Sequence, residues 1–96
     1  MDQELEIINN EVKPRFEAKL GDEFAFIDYR WQNGVIVFMH TFVPDAGQGK
    51  GIAGKLAGFA LEYVKEKDLK MKLYCPYMRT YVNKHPEYKE FIKEQT

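Results

Sequence analysis

The stretch VPDAGQGKGIAGKL, residues 43–56, decides how this chain is read. It stands between an apolar run ending at Val43 and a segment with helical periodicity beginning near Lys50. Its glycines suit three different phosphate-binding loops. Gly49-Lys50 resembles the end of a nucleotide-binding P-loop, but that motif needs Gly at position 44 and Ser or Thr at 51. The chain has Pro44 and Gly51, so the hydroxyl that would hold magnesium is missing. Gly49-x-Gly51-x-x-Gly54 fits the dinucleotide fingerprint, which also needs an acidic residue ending the next strand. The next strand ends in Tyr74-Cys75-Pro76, and Asp68 precedes it. The third loop is Gln48-x-x-Gly51-x-Ala53. Small residues there free consecutive backbone N–H groups at a helix start, where the helix dipole favours an anion. Lys50 and Lys55 add full charges, and pyrophosphate is the natural guest. The plain alternative is a glycine-rich turn that binds nothing.

Upstream, two turns punctuate residues rich in aromatic and β-branched side chains. LGDE at 20–23 is one. QNGV at 32–35 is the other, and its Asn33-Gly34 is a strong hairpin signal. Phe16, Ala18 and Leu20 alternate with charged residues, as on a half-exposed strand. VIVFMHTFV (35–43) is apolar on both faces and predicts a central strand covered on both sides. An antiparallel meander is expected, with strands near 5–8, 14–20, 23–31 and 35–43.

Downstream, apolar residues at 52, 56, 59, 60, 61, 63 and 64 predict an amphipathic helix over 50–67. Gly54 and Gly58 weaken it by roughly 1 kcal/mol each relative to Ala. They share a side, which suggests close approach to the sheet or to a ligand. LKMKLYC (69–75) predicts another strand, and helical segments over 76–84 and 86–94 follow. The expected architecture is one α+β domain over 1–96. Its sheet is mostly antiparallel and mixed, with a β-α-β crossover and short C-terminal helices.

Bulk properties narrow the function classes. The chain has 96 residues, 45% apolar and 15% aromatic, which suits one folded core. No apolar run approaches the roughly 20 residues of a membrane helix. MDQELEI has neither the basic nor the apolar region of a secretion signal. A single cysteine excludes an internal disulfide, and a cytoplasmic location is expected. Net charge is −1, but residues 1–48 carry four basic and nine acidic groups, and 49–96 carry ten and six. A phosphorylated ligand would be drawn to the second half. The basic footprint of a nucleic-acid protein is absent, and no oligomer signal is visible. Two histidines and one cysteine have no metal-ligand spacing.

Gln48-x-x-Gly51-x-Ala53 resembles the coenzyme A loop of the GNAT acetyltransferase superfamily. HTFVPDAGQGKGIAGKL, followed by LYCPYMRTYVNKHPEY, is similar to a compact YjdJ-type subgroup of acetyltransferase-like proteins. The likeness covers most of residues 15–90. It implies acetyl-CoA as the ligand, with the backbone of Gln48, Gly49, Lys50, Gly51, Ile52 and Ala53 on its pyrophosphate. Phe42 and Val43 would offer main chain to the pantetheine arm, between splayed strands 35–43 and 69–75. Arg79 or Lys84 would meet the adenosine 3′-phosphate. The acceptor would be an unidentified amine or protein. The helices that wall the acceptor side in longer members have no room here, so that side should be open or completed by a partner.

Acetyl transfer needs a base, an acid and donors to the thioester oxygen. Cys75, beside the implied pantetheine gap, could carry the acetyl group. It could equally be a buried core thiol on the face shared by Met71 and Leu73. His40 could serve as base or thiolate partner, or be a core histidine. Tyr81 falls where the superfamily often places a tyrosine acid, with Tyr77 as neighbour, and both could simply pack. Two functions stand side by side: an N-acetyltransferase, or a non-catalytic acetyl-CoA-binding module or sensor.

Overall fold

A computed structural model describes residues 5–93. Its elements are β1 (Ile7–Asn10), β2 (Arg15–Leu20), β3 (Glu23–Gln32), β4 (Val35–Phe42), α1 (Ile52–Glu66), β5 (Met71–Leu73) and α2 (Pro76–Lys84). Short 3₁₀ turns cover Asp45–Gly47 and Pro86–Phe91. The strands lie side by side in chain order. Neighbours are antiparallel from β1 to β4, and β4 pairs with β5 in parallel. This is the expected α+β meander with one helical crossover.

Local chemistry accounts for the connections. Asn33 and Gly34 both have positive φ, 53° and 81°, as a tight right-twisted hairpin requires. Pro76 opens α2 at the position where a missing N–H costs nothing. Residues 86–91 are helical as expected but wound as 3₁₀, after which Ile92 bridges to Met71. Residue 94 of the expected segment lies outside the described residues.

Both helices pack on one face of the sheet. There α1 buries Ile52, Leu56, Ala57, Ala60, Leu61 and Val64, and α2 buries Met78 and Val82. The sheet supplies Phe16, Ala18, Ala25, Ile27, Tyr29, Ile36, Phe38 and Met71 to the same core. The other face has no helix over it among the described residues. The expectation that 35–43 is covered on both sides therefore fails beyond Phe38. Ile36, Val37 and Phe38 are buried, whereas His40 and Phe42 are exposed. On this open face Glu17 is only 6% exposed. Its carboxylate is held by Arg15 at 2.6 Å and Asn10 at 3.2 Å, and the Arg15 guanidinium lies 4.5 Å from the Phe26 ring centroid.

Candidate functional site

The site begins with an irregularity in β4. Tyr29 pairs with Phe38 but Asp28 pairs with His40, so Met39 is an extra residue, a β-bulge. The bulge resets the side-chain alternation and bends the strand. His40 and Phe42 then share the open face with their partners Asp28 and Phe26, and Thr41 pairs with Ile27 on the helix side. Pairing with β5 stops at the same place, at Phe38 and Leu73. The next two amides, Tyr74 N–H and Cys75 N–H, both donate to the Phe38 carbonyl, at 3.0 and 3.1 Å. Residues 39–43 are left without a β5 neighbour, and a gap opens where β4 and β5 diverge.

The glycine loop closes one end of that gap. Gly47 N–H donates to Pro44 and Gln48 N–H to Asp45, at 2.8 and 3.1 Å. Gly49 and Gly51 then take φ of 77° and 71°, which an L side chain resists. Gly51 is the N-cap of α1, no side chain caps the helix, and the first bond onto it is Lys55 N–H to Gly51 at 3.2 Å. The N–H groups of residues 49–54 find no protein acceptor among the described residues. The expected run of 48–53 thus starts one residue later, because the Gln48 amide is used inside the 3₁₀ turn. Gln48 contributes its side chain instead, with Nε2 donating to the Val43 carbonyl at 2.8 Å. A cavity of about 140 Å³ lies here, bounded by Val43, Gly49, Gly51, Ile52, Ala53 and Tyr77 among others. It has room for a phosphate-sized group.

Cys75 sits where the gap narrows, 2% exposed and immediately before α2. Its Sγ is 3.1 Å from Thr41 Oγ1. Sequence reasoning missed Thr41, because only the bulge turns it toward β5. The two tyrosines come from α2 and lie over the glycines of α1. A Cβ on Gly54 would stand 3.5 Å from the Tyr77 hydroxyl, and one on Gly58 would stand 3.2 Å from that of Tyr81. The bare stripe at 54 and 58 therefore admits the tyrosines of a neighbouring helix rather than the sheet, and Gly54 also lines the loop cavity. Burial, helped by the proximity of Tyr81 and Cys75, pushes the Tyr77 phenol above its usual range. Tyr81 stacks on His85 with ring centroids 4.2 Å apart.

Three expected residues stand elsewhere. The His40 side chain is 74% exposed on the open face, with Nδ1 3.4 Å from Asp28 Oδ1. Its own backbone N–H also donates to Asp28, at 2.7 Å. It is on the opposite side of the sheet from Cys75, so it does not pair with that thiol. Arg79 donates to the Leu73 carbonyl at 3.0 Å, at the outer edge of β5 and away from the loop. Lys84 ends α2, seven residues and so about 10 Å along the helix beyond Tyr77.

The family model described as GCN5-related N-acetyl-transferase matches residues 15–91. Protein NATD1 of Gallus gallus and Protein NATD1 of Mus musculus are each 48% identical over 52 residues, 54% of this chain and 47% of theirs. The chain thus spans about half the length of the curated relatives it matches. A solution NMR structure of a GCN5-like protein from Staphylococcus aureus superposes with a TM-score of 0.68 at 29% identity, covering 96% of this chain and 91% of that one. No helix among the described residues is long and apolar enough to cross a membrane. With four-fifths of its length inside the matched family, this chain belongs to the GCN5-related N-acetyltransferases.

Proposed function

We propose that the protein binds acetyl-CoA and transfers the acetyl group to an amine. The observation that carries this reading is the run of unpaired amides at 49–54 opening onto the divergent ends of β4 and β5. The amides take the pyrophosphate, which prefers donors already fixed in place at a helix start. The pantetheine arm follows the main chain of Thr41, Phe42 and Val43, which has no β5 partner. The thioester then lies near Thr41 and Cys75. The acceptor amine attacks the thioester carbonyl, the C–N bond forms, the C–S bond breaks, the nitrogen gives up one proton, and the coenzyme thiolate takes one up. Tyr77 suits the acid better than Tyr81 does, because it bounds the loop cavity. The acceptor enters over the open sheet face, beside His40 and Phe42. The lone buried thiol fits a reducing compartment such as the cytoplasm.

The Thr41–Cys75 contact favours a second route, in which Cys75 Sγ attacks the thioester and takes the acetyl group as coenzyme A leaves as its thiol, then passes that group to the amine and regains its own thiol. Intact-protein mass after incubation with acetyl-CoA separates the routes. One added acetyl group, absent in Cys75→Ala, supports the relay. CoA release with a panel of amines and no adduct supports direct attack. Neither adduct nor release would reduce the protein to an acetyl-CoA-binding module.

A further inference from the structure

The positive charge of the second half of the chain does not end at the glycine loop. A cleft of about 530 Å³ opens on the outer side of β5, where α2 and the residues after Phe91 flank that strand. Leu73, Val82 and Ile92 give it an apolar floor, and the exposed Tyr74 stands at it, one residue before Cys75. Its charged lining is Lys72, Arg79 and Lys93, with no acidic residue among the described ones. The ion pairs among the described residues are Arg15–Glu17 and His40–Asp28, so none of these three cations is committed to one there.

Two of the cations are held in fixed places. Arg79 donates to the Leu73 carbonyl at the β5 edge, and Lys72 Nζ donates to Gln32 Oε1 at 2.9 Å. Gln32 belongs to β3, two strands away, so the Lys72 side chain runs from the cleft across the open face of the sheet. Arg30, Val37 and Lys72 form one row there, across β3, β4 and β5, and Val37 is buried between its two long-stemmed neighbours. The cations thus lead from the β5 edge onto the face that carries His40 and Phe42. We propose that this surface docks an extended acidic segment of a protein acceptor, beside the amine to be acetylated. The inference rests on the coenzyme reading above and names the acceptor's class. The heads of Arg79 and Lys72 stand roughly two strand spacings apart, about 10 Å, so one phosphate or carboxylate cannot meet both. Successive carboxylates on an extended chain can, and the apolar floor takes a side chain between them. Arg79 therefore meets the acceptor, not the 3′-phosphate of the coenzyme.

Fluorescence anisotropy with a labelled peptide, one lysine followed by alternating Glu and Leu, tests this beside the same peptide with Gln for every Glu. The Glu peptide should bind about tenfold more tightly, the range of two or more exposed ion pairs, and the preference should shrink as salt rises. Lys93→Gln and Arg79→Gln should each weaken the Glu peptide about three- to fivefold, and Lys93→Glu further. Lys93 is the cleaner probe, because the Arg79 side chain also holds a carbonyl. Lys65→Gln, at an exposed position on α1, should change nothing. With acetyl-CoA present, CoA release should favour the Glu peptide by a similar factor in kcat/KM. Equal binding of the two peptides would overturn the inference alone, as would a preference that survives Lys93→Gln and Arg79→Gln combined. So would amide shifts at Leu73, Ile92 and Lys93 with inorganic phosphate and none with the Glu peptide. Absence of acetyl-CoA binding with the peptide preference intact would overturn the coenzyme reading, and with it the assignment of the partner as acceptor.

Discussion

Gly51 offers a clean separation of backbone strain from steric contact. It caps α1 at φ 71° and ψ 18°, in the left-handed region, and a Cβ there would meet nothing within 4 Å. Any cost of substitution therefore comes from the backbone. An L-residue held in this conformation loses about 1–2 kcal/mol, and Asn loses less because its side chain can bond locally. For a domain of this size, 1 kcal/mol corresponds to roughly 4–8 °C in Tm. Gly51→Ala should lower Tm by about that amount or somewhat more, Gly51→Val further still, and Gly51→Asn least. Urea unfolding should give the same order with an unchanged m-value. Binding should follow the strain. If Ala relaxes to negative φ, the neighbouring amides turn away from the anion, and acetyl-CoA affinity should fall about tenfold, the loss of one charged hydrogen bond. Asn should keep affinity within about threefold. Equal stability of the Ala, Val and Asn variants would refute the strain argument. An Ala variant that is destabilised yet binds as well as Asn would refute the link between loop geometry and the ligand.

Two further expectations concern pH. Burial raises the Glu17 carboxyl pKa, but hydrogen bonds from Arg15 and Asn10 and the charges of Arg15 and Lys13 outweigh it, leaving the pKa below 4.5. A depressed carboxyl stabilises the fold above its unfolded pKa and loses that contribution as pH falls through the folded one. Urea stability should therefore drop more steeply below about pH 4.5 in the native protein than in Glu17→Gln; parallel curves would contradict this. At the alkaline end, the hydrogen bond to the Glu62 carboxylate, with burial, pushes the Tyr88 phenol up to about 12. The folded state holds that proton longer than the unfolded one, so the contribution is intact below about pH 10 and fades toward 12. Tyr88→Phe should flatten that decline, and an unchanged slope would contradict the assignment.

The meander, the Asn33-Gly34 hairpin and the helical crossover were legible because each is a local signal. Alternation, a turn dipeptide and a helical period need no distant partner. The loop was legible for the same reason, although the use of the Gln48 amide inside a 3₁₀ turn starts the run of unpaired amides one residue later. The bulge at Met39 was not legible. VIVFMHTFV is apolar at nearly every position, so slipping the register by one residue leaves the pattern unchanged. That slip decides which side His40 and Thr41 face. Gly54 and Gly58 stand out in the sequence as a bare stripe, but Tyr77 and Tyr81, which fill it, come from a helix more than twenty residues later.

If the backbone of 49–54 and the unpaired end of β4 together hold acetyl-CoA, both must respond to it. Amide-resolved NMR titration addresses both parts at once. Saturable shifts are expected at Gly49 to Gly54 and at Thr41 to Val43 with acetyl-CoA or coenzyme A, with no response to NAD. Shifts confined to other surfaces, or an equal response to NAD, would contradict it.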